Sequence, residues 1–292
     1  MSESPLDNIP ANSPIQPVNL SLDDSLQFRC HKEIACFNEC CKRIDLTLTP
    51  YDILRLKQRL GLTSKDFLAQ YTVPYEMDAH GMPGVKIKTA DDNPACPFLS
   101  EQGCSVYEDR PTVCRYYALG LMSMRKQSSS TDESTYFLIK EDHCLGHNDP
   151  RTLTVRDYRQ EQGVEHYDEM DQEWRQIVLK KRSSGPTVGK PSPRSFQFFF
   201  MVSYNQDALR EFTQTQGFAD VYDLTAEEFE QLKTDDIALF KFCFRLLKQV
   251  LFGEISIPVH PEAMQKRAQQ RREQIKSDPD NPNNDYNGPE MV

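Results

Sequence analysis

The sequence predicts an α+β fold that is mostly helical and contains a small antiparallel sheet. Helices are indicated by capping residues around periodic apolar positions, as in 50–60, where Thr49 precedes Pro and Gly61 ends the pattern. Strands are indicated by "GVKIKTA" (84–90) and "TYFLIKED" (135–142), which are candidates for pairing. The N-terminal part is also predicted to contain cysteine-rich loops. Metal ions bound by these loops would hold the N-terminal helices in place.

Further elements follow from the same patterns. Thr63 or Ser64 is predicted to cap the second helix and Thr154 a later one, and Thr225 forms a capping box with Glu228. The apolar run "FQFFFMVSY" predicts a buried strand. Three other segments are predicted as helical: 205–216 with a stop at Gly217, 235–252 between Thr234 and Gly253, and 168–174 as a solvated face around Trp174.

The chain divides into five parts by composition. Residues 1–24 and 261–292 are polar and rich in Pro, Asn and Asp, so both are predicted to be disordered tails. Residues 181–193 are predicted to be a linker. The linker separates a cysteine-cluster domain at 25–180 from a smaller subdomain of one strand and several helices at 194–260.

Charge and hydrophobicity exclude some function classes. The 292 residues carry a formal net charge of −10, which disfavours nucleic acid as a partner. No run approaches the roughly 20 apolar residues of a membrane span, and the first residues lack the features of a signal peptide. We therefore expect a cytoplasmic protein without a membrane partner. In a reducing compartment, clustered cysteines favour metal or redox chemistry over disulfides.

Nine cysteines are present, and Cys243 stands apart from the others on an apolar segment, where it is predicted to be a packing residue. Four of the remaining eight lie within "CHKEIACFNECC" (30–41), three lie within 96–114, and one follows later. All eight are predicted metal ligands: Cys30, Cys36, Cys40, Cys41, Cys96, Cys104, Cys114 and Cys144.

The adjacent pair Cys40 and Cys41 is informative about the number of centres. Neighbouring side chains point to opposite sides of an extended chain and diverge by about 100° in a helix. Neither geometry easily brings both thiolates to one mononuclear site. Eight ligands at four per centre instead predict two metal sites, or one polynuclear site, with the pair divided between them. The ions would be zinc or iron, and an iron–sulfur cluster is an alternative.

Basic and histidine residues accompany the cysteines. Arg110 and Arg115 are predicted to donate to the sulfurs and offset the negative charge of bound thiolates. His31, His143 and His147 lie next to or near cysteines and are alternative ligands of a Cys₃His site.

The motif set resembles the YkgJ-like cysteine-cluster family, the zinc- or iron-chelating domain of CxxCxxCC type. The resemblance rests on the doublet-ending run at 30–41, the helix at 50–60, the block "CPFLSEQGCSVYEDRPTVCRYY" and the final "CLGH". It covers about residues 26–175. The first spacings are wider here than in the compact family pattern. The family is also similar to the cysteine-rich part of flagellin lysine methylase, which implies one possible enzymatic role.

Three functions remain open from the sequence. The first is a metal-binding protein with a structural, metal-handling or sensing role. The second is an iron–sulfur enzyme, such as a protein lysine methylase that uses S-adenosylmethionine. The third is a thiol redox protein. No arrangement of catalytic residues is recognisable, so no catalytic activity is predicted, and the pattern names no protein partner.

Overall fold

The structure is a computed structural model, and it describes residues 10, 13–79, 81–90, 92–125, 132–183, 193–263, 265–266 and 269. The chain forms two compact units, Met1–Ala208 and Leu209–Val292. The first unit combines helices with small antiparallel sheets, which confirms the predicted α+β class. The domain boundaries predicted from composition remain a prediction.

The helices of the first unit are α1 (Pro50–Leu60), α2 (Ser64–Tyr71), α3 (Thr112–Tyr116), α4 (Val155–Gln162), α5 (Val164–Ser183) and α6 (Pro193–Tyr204). Its strands are β1 (Ile15–Leu20), β2 (Ser25–Gln27), β3 (Thr47–Leu48), β4 (Thr72–Glu76), β5 (Pro83–Ile87), β6 (Leu99–Ser100), β7 (Gly103–Cys104), β8 (Leu119–Arg125), β9 (Asp132–Ile139) and β10 (Thr152–Thr154).

The predicted helix caps are confirmed in α1, α2 and α4. Thr49 accepts a hydrogen bond from the backbone of Asp52, whose carboxylate accepts from the backbone of Thr49, and α1 ends at Gly61 with φ of 64°. Thr63 and Thr154 cap α2 and α4 in the same way. These local signals identify helix starts well, because the side chain satisfies an N–H group that has no partner inside the helix.

Strands are organised in several small antiparallel sheets instead of one. The sheet orders are β1-β9-β8, β3-β5-β4, β2-β10 and β6-β7 in the described part of the chain. The predicted strands at 84–90 and 135–142 correspond to β5 and β9, but these two belong to different sheets. Each pairs with the strand just before it, since short connections favour neighbours in sequence.

Two predicted elements are wrong. Residues 15–20 of the supposed disordered tail form β1, which pairs with β9 through Ile15 opposite Ile139; residues 1–9 and 11–12 lie outside the described part. The segment 196–204 is helical and lies in α6, where Phe199 and Val202 are buried on one side while Gln197 is exposed. A short apolar run fits a buried strand or a buried helix equally well.

The linker prediction largely cannot be compared with the structure. Residues 184–192 lie outside the described part, whereas 181–183 belong to α5 and 193 belongs to α6. Helix α6 belongs to the first of the two compact units.

Helix α5 runs through the interior of the first unit. Its residues Val164 and Ile177 are buried, and so is the carboxylate of Asp171, which has no exposure at all. The prediction that 168–174 forms a solvated face is therefore wrong, because Asp171 and Trp174 share the buried side of the helix. Another part of the core packs α4 against β2 and β8: Leu26, Phe28, Tyr116, Ala118, Leu119, Tyr136, Val155, Tyr158 and Val164.

The second unit is helical around Phe218. Helix α7 (Gln206–Thr213) enters it, followed by α8 (Gln216–Ala219), α9 (Ala226–Thr234) and α10 (Asp236–Phe252). Phe218 contacts the rings of Phe212, Phe229 and Phe242. Cys243 is buried and donates to the carbonyl of Phe240, which confirms its packing role.

Boundaries in the second unit differ slightly from the predictions. Helix α7 ends at Thr213, and Gly217 lies inside α8. The cap of α10 is Asp235, because Thr234 is still part of α9, while Gly253 ends α10 as predicted. The predicted tail lies outside the described part from residue 270 onward. Within the described part of the chain, no helix is long and apolar enough to cross a membrane.

Candidate metal centre

Four cysteines form one group, which we call the outer thiol group: Cys30, Cys36, Cys40 and Cys144. The charge of the Cys30 thiolate interacts with those of the other three, and Cys144 interacts with Cys36 and Cys40. All four line one cavity of about 30 Å³, together with Phe28, Ile34, Tyr117, His143 and Gly146. The first cluster and the last cysteine of the sequence therefore meet in space.

Two loops build the outer thiol group. The backbone of Arg29 donates to the carbonyl of Gly146 at 3.0 Å, and the backbone of Leu145 donates to the sulfur of Cys36 at 3.2 Å. Gly146 is needed for this approach, because a Cβ there would lie 2.6 Å from the ring of Phe28 and 3.0 Å from the carbonyl oxygen of Arg29. The packing of Phe28 in the core thus positions both loops.

The other four cysteines form the inner thiol group: Cys41, Cys96, Cys104 and Cys114. The charge of Cys41 interacts with those of Cys96 and Cys114, and Cys114 also interacts with Cys104. Cys104 lies in β7 opposite Leu99, and the backbone of Cys96 donates to the carbonyl of Cys41 at 2.8 Å. Burial raises the pKa of the Cys114 thiol well above its usual range.

A buried carboxylate holds the start of α3, which carries Cys114. One oxygen of Asp52 accepts hydrogen bonds from the backbone and the hydroxyl of Thr112, both at 2.7 Å. Asp52 is completely buried, and burial raises its pKa. The same side chain closes the capping box of α1, so a single carboxylate fixes two helix starts and places Cys114 relative to the core.

The doublet joins the two groups. Cys40 and Cys41 lie in a 3₁₀ turn, Glu39–Cys41, which follows Asn38 at φ of 70°. Their sulfurs are 3.9 Å apart. Cys40 lines the cavity of the outer thiol group, and its charge also interacts with those of Cys96, Cys104 and Cys114, of which Cys96 and Cys114 interact with Cys41 as well. A thiol hydrogen bond from Cys41 lowers the pKa of Cys40 to about 7.

The lowered pKa of Cys40 leads to a testable result for metal-free protein. We expect iodoacetamide to alkylate Cys40 faster than Cys30 near pH 7, with a rate that rises with pH through a midpoint near 7, because only the thiolate reacts. The Cys30 thiol, whose pKa burial raises to about 11, should stay unreactive until far higher pH. Peptide mass spectrometry over a pH series measures both rates. In Cys41→Ala the midpoint of Cys40 should move upward; an unchanged midpoint would contradict the hydrogen bond as the cause.

Arg110 and Arg115 donate hydrogen bonds mainly to backbone carbonyls and other side chains. Arg115 donates to the carbonyls of Arg110, Gln162 and Glu108 and to the hydroxyl of Tyr167, so the prediction that it donates to sulfur is wrong. Its rigid guanidinium fork suits clustered carbonyls better than a single thiolate. Arg110 donates to the carbonyl of Tyr107 and to Gln162, while its charge also lowers the pKa of Cys104 against the effect of burial.

The three candidate histidines have different surroundings. His143 lines the cavity of the outer thiol group, and its side chain is 41% exposed. His31 contacts Glu33 at 3.0 Å, and the ring of His147 contacts the carbonyl of Ile139 and packs on Phe28. Only His143 among them shares the lining of the thiol cavity.

The donor chemistry of both groups fits zinc or iron, since thiolates are preferred ligands of both. The sulfurs do not form a closed coordination shell: within the described ranges, no three His, Cys, Asp or Glu side chains have the geometry of a metal site. Binding would therefore have to draw the thiols closer, and the loops that carry them would follow. Cys30, Cys36, Cys40 and Cys144 would hold one ion, and Cys41, Cys96, Cys104 and Cys114 the other.

The loops, helix starts and thiol groups together define a metal-binding domain built on cysteine. Residues 29–145 match the CxxCxxCC family, described as "Putative zinc- or iron-chelating domain", which confirms the resemblance seen in the sequence. All eight cysteines of the two groups lie inside the matched range. No curated protein and no solved structure matches the chain.

Sequence reasoning missed several residues that shape the centre. In the sequence, Asp52 is recognisable only as an acidic residue in the first turn of a helix. No neighbouring residue indicates its hydrogen bond with Thr112. Gly146 and Phe28 likewise carry no signal, because their effect depends on a contact between distant loops. The motif "RPT" at 110–112 was the one available clue, since it marks a turn followed by a helix start.

Proposed function

We propose that this chain is a cytoplasmic metal-binding protein in which eight thiolates hold zinc or iron in two centres. Its role would be structural, metal-handling or sensing. The observation that carries the proposal is the gathering of eight cysteines around the Cys40–Cys41 doublet, four of them lining one cavity. Four thiolates are the usual complement of a structural zinc site and of common iron–sulfur clusters.

The surroundings support charge-balanced thiolate binding. A divalent ion with four thiolates carries a formal charge of −2, which nearby cations reduce. Arg110 acts on Cys104, whereas Lys42, which follows the doublet directly, pairs with Glu39. Residues 29–145 match a zinc- or iron-chelating domain, which supports metal as the bound group.

An iron–sulfur centre is the second candidate, because Cys40 and Cys41 could also serve two irons of one cluster. The lysine methylase implied by the family resemblance would require such a cluster and S-adenosylmethionine. A thiol redox protein is the third candidate, and the close sulfurs of Cys40 and Cys41 are its best support.

Anaerobic metal analysis with an optical spectrum tests these alternatives. We expect full-length protein to hold two zinc or iron ions per chain, and Cys104→Ser to hold fewer. Cys243→Ala removes a thiol outside both groups and should keep the full complement. A broad visible absorption with matching iron and acid-labile sulfide would instead establish a cluster.

Metal content well below one ion per chain after anaerobic purification would contradict the metal-binding proposal. In that case, free reaction of all eight thiols in the native protein, together with reversible loss of the Cys40 and Cys41 thiols under mild oxidation, would favour the redox candidate.

A further inference from the structure

We infer that the two thiol groups have different tasks: the outer group binds a thiophilic ion that is exchanged with a thiol-bearing partner, whereas the inner group holds an ion that stays bound. This inference rests on the proposed function, since it assumes that both groups bind metal. It adds which centre handles metal and which one maintains the fold.

The outer thiol group is open to an incoming ligand. Cys30 and Cys40 are exposed, and Cys36 and Cys144 are partly exposed. The cavity between them is about 30 Å³, close to the space that one water molecule or one small ion occupies. His143 contributes a partly exposed imidazole to the rim. An acceptor thiol could therefore reach an ion held here without any rearrangement of the core.

The backbone around the outer thiol group consists of turns. Hydrogen bonds from Ile34 to His31, from Phe37 to Ile34 and from Cys144 to Glu141 each close a single turn. The three outer cysteines of the first loop are thus carried by local structure, outside the sheets and the long helices. Segments of this kind open at low free-energy cost, which suits a site that must release its ligand.

The inner thiol group contains no fully exposed cysteine, and two of its members are tied to regular elements. Cys104 is part of a β-hairpin flanked by the buried side chains of Phe98 and Val106, and Cys114 is carried by α3, which the buried Asp52 anchors. Release of an ion from this group would require the hairpin or the anchored helix to move, which slows it.

Transfer of the metal ion from the outer thiol group to an acceptor thiol is a ligand substitution in which bonds and protons balance. The acceptor thiol forms a metal–sulfur bond while the bond between the metal and Cys30 breaks, and the proton lost by the acceptor ends on the Cys30 sulfur. Repetition at the remaining sulfurs moves the ion to the acceptor without oxidation or reduction.

Metal release kinetics test the inference. Full-length zinc-loaded protein is mixed anaerobically with excess 4-(2-pyridylazo)resorcinol, and zinc transfer is followed by absorbance. We expect two phases of equal amplitude at least about tenfold apart in rate. Iodoacetamide added after the fast phase should label Cys40, the most reactive outer thiol, and leave the inner cysteines protected, as peptide mass spectrometry would show.

Variants assign the phases. Cys30→Ser should remove the fast phase and keep the slow one, whereas Cys243→Ala should keep both. Two bound ions that leave in a single phase, or simultaneous labelling of both groups, would overturn the division of tasks while leaving the metal-binding proposal intact. A zinc content below one ion per chain would refute the proposed function, and this inference with it. Iodoacetamide labelling of the unmodified chain tests the division of tasks even if a variant fails to fold.

Discussion

Removal of the bound metal by a strong chelator is expected to unfold the cysteine-bearing part of the chain. The loops that contain Cys30, Cys96 and Cys144 are distant in sequence, and metal binding energy is folding energy where a site does not exist in the unfolded chain. Structural zinc sites contribute about 10–16 kcal/mol of apparent binding free energy, so the loss should exceed the stability of an ordinary domain. Circular dichroism and thermal melting, with metal content measured in parallel, record the change.

The most informative control is to add the metal ion back to the chelator-treated protein. Zinc added back under reducing conditions should recover the melting transition, while magnesium should not, because its ligands are oxygens. An unchanged melting curve in protein shown to be free of metal would contradict a structural role for both thiol groups. The matched variant Cys243→Ala should respond to the chelator as the unmodified chain does, since its thiol is outside both groups.

Asp52→Ala is expected to lower the free energy of unfolding by about 3–5 kcal/mol, because it leaves several buried donors without an acceptor. Those donors are the backbone and hydroxyl of Thr112 and the backbone of Thr49. Urea denaturation of the metal-loaded protein measures the loss. Since Thr112 begins the helix of Cys114, the same variant should release metal from the inner thiol group faster.

Asp157→Ala is the matched control for Asp52→Ala. Asp157 occupies the equivalent position in α4, where its exposed carboxylate accepts from the hydroxyl of its cap, Thr154. We expect a loss of about 1 kcal/mol or less there, as is usual for an exposed cap. Equal losses in the two variants would show that Asp52 acts as an ordinary helix cap and does not organise the centre.

Much of the fold follows from short-range signals in the sequence. Thr49, Thr63, Thr154 and Thr225 each cap the helix predicted for them, because capping depends on residues within one turn. Strand pairing and the nature of the 196–204 segment depend on partners elsewhere in the chain. For that reason β1 was missed and α6 was mistaken for a strand.

Prediction of the candidate site from the sequence is limited in the same way by contacts between distant segments. The spacing of Cys40 and Cys41 predicts two centres, since adjacent side chains diverge in any regular backbone. Which cysteines accompany each one depends on the loops that bring Cys144 to Cys36 and Cys96 to Cys41, and neither approach is encoded locally. The role of Arg115 was misjudged for a related reason: its nearest neighbour in sequence is a cysteine, but its hydrogen-bond partners are carbonyls.

The backbone hydrogen bond between Cys96 and Cys41 joins two segments that are far apart in sequence, so it can form only after both have left the ribosome. The doublet leaves the ribosome well before Cys96, and Cys144 follows later still. At about 5–20 residues per second, several seconds pass in which Cys40 and Cys41 are present without the later cysteines Cys96, Cys104, Cys114 and Cys144. During that interval the nascent chain exposes two adjacent thiols, and the cell must keep them reduced and free of competing ions until the later cysteines arrive.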